Sequence, residues 1–151
     1  ELVDYCDQAD LTVLPYSPEQ MYALVNDVDD YPRFLPWCEA VQVHEREALH
    51  LSATLTLARA GVRQQITTRN EMVPGSRIHM RLMKGPFRNL DGVWEFLPQG
   101  DQGALVRLLM EFEFKNRLAA MTLGRLFDEV TGSLVGAFRD RAHERYGGAA
   151  G

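Results

Sequence analysis

Cysteine is scarce in this sequence: Cys6 and Cys38 are the whole supply in 151 residues. They form no C-x-x-C pair and no disulfide framework, which fits a reducing compartment. Long apolar runs are missing too, and none approaches the roughly 18 residues of a membrane span. The four histidines, His44, His50, His79 and His143, show no metal-ligand spacing. No G-x-S-x-G, Gly-rich phosphate loop or H-E-x-x-H motif occurs, which removes the commonest hydrolase, nucleotide and zinc-protease readings. No signal-peptide pattern opens the chain at Glu1. Internal repeats, low-complexity tracts and linkers are absent, so the expectation is one cytoplasmic domain over 1–151. A chain of this size buries about 68–70% of its unfolded surface and needs no staple.

Charge is short by segment. Residues 1–58 contain only two bases against eleven acids, a net −9. Residues 59–88 contain one acid, Glu71, against Arg59, Arg63, Arg69, Arg77, Arg81, Lys84 and Arg88, a net +6. The remainder carries −2, and the whole chain −5. Such polarity can mark a surface that meets phosphate, in a lipid or in RNA. Equally, basic strands lying beside acidic ones would cancel the patch.

Hydrophobic periodicity supplies the elements. "LTVLPY" (11–16) has β character and ends in proline. "SPEQMYALVNDV" then opens a helix, with Ser17 as N-cap, Pro18 at the first helical position and Gln20 completing a capping box. From 39 to 116 the period becomes two. Leu51, Ala53, Leu55 and Leu57 share one face; Ile78, Met80 and Leu82 another; Val106, Leu108, Met110, Phe112 and Phe114 a third. Turns fall at Ala60-Gly61, Val73–Ser76 (type II), Gly85-Pro86 and 99–103. One-sided alternation predicts a six-strand antiparallel meander with one covered face. Residues 117 to about 145 read as one amphipathic helix to cover it. Its apolar arc holds Ala120, Leu123, Phe127, Val130, Thr131, Leu134 and Phe138, and Gly147-Gly148 ends it. Gly124 borders that arc and could leave room for a guest. The fold class is α+β.

"DYPRFLPWC" (30–38) crowds Tyr31, Phe34, Leu35 and Trp37 around Pro32 and Pro36. The prolines rule out a long helix, and the side chains are too apolar for a solvated loop. The acids before it, Asp27, Asp29 and Asp30, read as a solvated helix end in preference to a Mg²⁺ cluster.

"PYSPEQMYALVNDVDDYPRFLPWC", "GVRQQITTRN", "MKGPFRNLDGVWEF", "EFEFKNRL" and a helix ending "AFRDRAHERY" together resemble the coenzyme Q-binding and ribosome association toxin branch of the START and polyketide cyclase superfamily. The resemblance covers about residues 12–146. It implies a helix-grip fold, a curved sheet of about seven strands wrapped around the terminal helix with an apolar cavity between. Under that resemblance, Phe34, Leu35 and Trp37 form a hydrophobic lip at the cavity mouth, facing Phe87 of the "GPF" turn. Tyr31, Ile66, Met80, Trp94, Met110, Phe112, Phe127, Val130, Leu134 and Phe138 line the interior. Gln64, Thr68 and Asn70 share Ile66's parity and are the candidate partners of a polar head group.

Function divides in three. The first is a non-catalytic carrier for ubiquinone or a similar prenylated ligand, in the cytoplasm or at the inner face of the membrane, with no obligatory cofactor. The second is a ribosome association toxin that binds the large ribosomal subunit, with Arg63, Arg69, Arg77, Arg81, Lys84 and Arg88 meeting RNA or membrane phosphates. The third is a cyclase or dehydratase, for which no convincing acid–base pair is visible. Neither a metal site nor DNA binding is expected.

Overall fold

The computed structural model describes residues 5–147, with side chains from residue 10 onward. The thiol of Cys6, the acidic residues at positions 1–7 as side chains, and Gly148 therefore lie outside the described residues. Strand β1 (Tyr5–Leu14) leads into helix α1 (Pro18–Asn26), a 3-10 turn (Val28–Asp30) and a four-residue helix α2 (Tyr31–Phe34). Six strands follow: β2 (Cys38–Arg46), β3 (His50–Arg59), β4 (Val62–Val73), β5 (Arg77–Lys84), β6 (Phe87–Gln99) and β7 (Gly103–Phe114). Helix α3 (Arg117–Tyr146) closes the fold.

The seven strands make one antiparallel sheet in the order β1-β7-β6-β5-β4-β3-β2. Each meander strand pairs with the next, and β1 crosses over to pair with β7. Turn chemistry fixes the registers. Ala60 and Gly61 both have positive φ, 53° and 83°, the signature of a two-residue hairpin turn. Gly75 at φ 76°, with Ser76 N–H donating to Val73 C=O at 2.9 Å, makes the type II turn.

Helix α1 begins with the predicted capping box: Gln20 N–H donates to Ser17 Oγ, and Ser17 N–H to Gln20 Oε1. Helix α3 is capped by Asn116, whose Oδ1 accepts from Ala119 N–H at 2.8 Å, and ends at Gly147 in the left-handed region. Its buried face is Leu123, Leu126, Phe127, Val130, Thr131, Leu134, Phe138 and Ala142, which keeps six of the seven residues of the expected arc and adds Leu126 and Ala142, while Ala120 is only half-buried. It lies against the inner face of the sheet, with Phe138 edge-on to Trp94 and Phe127 against Phe112. Among the described residues, no helix is long and apolar enough to cross a membrane.

The proline-rich stretch forms only a single helical turn, as its prolines require: Pro32 sits in the first turn of α2, where its missing N–H costs nothing. One expectation needs correction, since the acidic run is not solvated throughout. Asp30 is 3% exposed and accepts two hydrogen bonds from the Arg141 guanidinium, with Arg33 and Arg145 alongside. Alternating charge in a short segment gives no hint of such a partner 111 residues away.

Candidate ligand cavity and its two ends

The inner face of the sheet and α3 do not meet everywhere. Between them lies a cavity of about 100 Å³. Its walls come from β3 (Leu51, Ala53, Leu55, Leu57), β4 (Ile66, Thr68, Asn70), β5 (Met80), β6 (Leu90, Trp94) and β7 (Met110, Phe112). Val28, Tyr31 and Trp37 close one end, and Phe127, Val130, Thr131, Leu134 and Phe138 form the helical side. Strand parity puts every second residue on this face, so β3's Leu51–Leu57 series was readable as a wall from its alternation alone.

Gly92 explains part of the space. It sits opposite Met80 on β5 and Met110 on β7. A Cβ there would stand 2.7 Å from Met80 Cε and 3.2 Å from Met110 Sδ. Glycine lets both thioethers fold over β6 instead of being driven into the cavity.

Four of the expected lining residues lie elsewhere. Leu35 is 1% exposed and belongs to the core beneath α2. Phe34 packs edge-on to Phe138 at 5.2 Å, with the Arg141 guanidinium over its ring. Phe87 joins Phe112, Phe114 and Phe127 in an aromatic cluster behind the cavity wall. Gln64 shares Ile66's face but lies past the end of the cavity, in a separate groove, and donates to Gln65 C=O. Trp37 does line the cavity, but as a buried stopper: it is 2% exposed and its indole N–H donates to Ser133 Oγ at 3.0 Å. The lip is therefore a plug. Gly124 does not touch the cavity.

An open surface groove, separate from the cavity, marks the other pole. This groove of about 910 Å³ runs between the Gly61–Gln65 and Lys84–Pro86 segments and the start of α3, with Lys115, Leu118 and Thr122 along its rim. The wall between groove and cavity is one side chain thick, since a Cβ on Gly85 in the groove would lie 3.6 Å from Ile66 in the cavity.

The chemistry of the lining is sparse. Tyr31 is its one titratable side chain. Burial, then the nearby Cys38 and Asp27, push its phenol far above the ordinary range, and its hydroxyl donates to Val25 C=O. Thr131 is engaged by its own helix, donating to Phe127 C=O. Asn70 is different: it is 7% exposed, and its side-chain amide makes no hydrogen bond, with Oδ1 fully buried. Leaving a buried amide unpaired costs about 1–3 kcal/mol. Outside the cavity, Glu45, Glu47 and His50 come together at the β2–β3 turn, with Glu45 already held by Arg69.

The basic segment is partly cancelled. Arg63 forks onto Glu39, Arg69 reaches Glu45, Arg88 reaches Glu113 and Arg59 reaches Glu129. Among the described residues, Arg77, Arg81 and Lys84 have no carboxylate partner, nor do Lys115 and Arg117 at the start of α3.

A sheet gripping a long helix over an apolar cavity recurs in many solved structures, and the sequence says which family this chain belongs to. The polyketide cyclase / dehydrase and lipid transport family model aligns with residues 14–139. The chain belongs to that family. It is 43% identical over 135 residues to the ribosome association toxin RatA of Pseudomonas aeruginosa, covering 89% of this chain and 94% of that protein. It is 31% identical over 140 residues to a mitochondrial coenzyme Q-binding protein COQ10 homolog B of Xenopus laevis, covering 89% of this chain and 57% of that one. In structure it superimposes on the Zhui aromatase/cyclase of a Streptomyces species with a TM-score of 0.83 at 16% identity, covering 94% and 96% of the two chains. That likeness speaks for the fold.

Proposed function

We propose that this chain is a ribosome-association factor of the kind its relatives are named for, binding the large ribosomal subunit and hindering its union with the small one. The observation that carries the reading is identity of 40–43% to several bacterial proteins of that name along 89% of the chain. This reverses the order of the two leading expectations, since the relative named for coenzyme Q binding stands further off at 31%. The surface supports a phosphate contact at the open end: Lys84 and Lys115 line the groove, Arg117 follows, and no carboxylate neutralises them among the described residues. Counterion release makes such binding fall steeply with salt. The test is sedimentation of the full chain with purified large subunits, with small subunits as control, between about 50 and 200 mM salt, the range over which phosphate contacts weaken strongly. Selective, salt-sensitive co-sedimentation is expected. Absent or salt-independent binding overturns the reading.

A second reading, favoured by the cavity, is a binding site for an apolar small molecule. About 100 Å³ admits a ring-sized group, on the scale of an apolar cavity of ~150 Å³ known to take benzene. A prenylated quinone would need its tail to pass the Ile66–Gly85 partition into the groove. The lining offers no carboxylate, imidazole or amine to move a proton, which supports a non-catalytic role. Mass spectrometry of lipids extracted from protein purified out of its native host tests it: a stoichiometric apolar ligand is expected, and empty extracts count against it.

A further inference from the structure

We infer that Asn70 is the polar anchor of the cavity and that its ligand carries an oxygen function, a hydroxyl or carbonyl, on a compact apolar body. This rests on the second reading above. Two observations carry it independently of any relative. The Asn70 amide is buried on a largely apolar wall and has no hydrogen-bond partner, although an apolar side chain would be the cheaper occupant of such a place. The other polar group facing the same space without a partner is the Thr68 hydroxyl, two residues earlier on the same face of β4. A ligand oxygen between them accepts from Asn70 Nδ2, and a hydroxyl also donates to Oδ1. Thr131 does not compete as a donor, because its hydroxyl proton is given to Phe127 C=O. The two tryptophans of the chain, Trp37 and Trp94, both line the cavity and report on whatever enters.

The experiment uses the full chain and three ring-sized probes, toluene, phenol and benzaldehyde, titrated on the indole N–H signals of Trp37 and Trp94. The quantity read is the ratio of Kd for toluene to Kd for each oxygenated probe, compared between the natural chain and Asn70→Leu. Comparing ratios cancels the different cost of taking each probe out of water. The ratio for phenol, benzaldehyde or both is expected to fall about tenfold in Asn70→Leu, equivalent to 1.4 kcal/mol. Which probe responds tells hydroxyl from carbonyl. Leu removes the unpaired amide while keeping the number of side-chain heavy atoms, but it is bulkier and narrows the cavity for all three probes alike, so only the ratios are read. If the thermal midpoint falls or the variant admits no probe, Asn70→Ala carries the same comparison. Unchanged ratios, as when water alone serves the amide, overturn the anchor while leaving the cavity reading intact. Binding of none of the probes overturns both.

Discussion

The two ends of α3 are held very differently. Its C-terminal half is tied down: Arg141 forks onto buried Asp30, Phe34 lies between Phe138 and Arg141, Trp37 bonds Ser133, and Tyr146 donates to Gln20 C=O at 3.0 Å. Its first turns touch little. Leu118 and Met121 are 72% and 75% exposed beside an open groove rimmed by Lys84 and Lys115. The greasy 30–38 segment thus closes the molecule, while the open groove and the unpartnered cations lie at the opposite pole. A hydrophobic lip would have been mobile and exposed; this segment is an internal buttress.

That asymmetry can be broken from the closed end first. Asp30→Ala leaves the half-buried Arg141 with only the exposed Glu144 as partner and is expected to cost about 3 kcal/mol in chemical denaturation, the low end of the range for breaking a buried pair. A matched pair of truncations sharpens the comparison. Phe34→Ala should cost about 2 kcal/mol, below the range for a fully buried Phe, whereas Leu118→Ala should stay within about 0.5 kcal/mol. Gly92→Ala drives the Met80 methyl into the cavity. Weaker toluene binding with a stability change under about 1.5 kcal/mol is expected from the same titration.

At the closed end, burial raises the Cys38 thiol to about 11, against a small opposing effect of its contact with Ala40 C=O. The folded state therefore keeps this thiol neutral while the unfolded chain ionises it. The stabilisation is complete below pH 9.0 and is lost as pH climbs towards about 11, which denaturation midpoints against pH would trace. The smallest effect is at the open end, where Ala60 occupies the left-handed region at φ 53°. Ala60→Gly should raise the thermal midpoint slightly, by up to about 1 kcal/mol of stability, since glycine adopts that backbone without a Cβ penalty.

Much of this architecture could be read from the residues. Period-two alternation named the meander, and spacing at three and four named the buried face of α3, because both signals arise from one-sided burial of regular elements. The same parity brought Ile66, Thr68, Met80, Trp94, Met110 and Phe112 to one cavity. It failed where side chains are placed by partners distant in sequence. Nothing local says that Trp37 seeks Ser133, that Asp30 seeks Arg141, or that Arg63 and Arg69 are neutralised by Glu39 and Glu45 across the β2–β3–β4 layer. Parity also cannot tell a wall from a rim: Gln64 shares Ile66's face yet lies past the end of the cavity.

On the proposed reading, the basic pole meets the ribosome through its unpartnered cations. The decisive measurement is binding of the Lys84→Glu, Lys115→Glu double variant to large subunits across salt, beside the natural chain. At least about a tenfold loss of affinity at low salt is expected, with a log–log salt slope shallower by about 2, one for each phosphate contact removed. An affinity and slope matching those of the natural chain would overturn that reading.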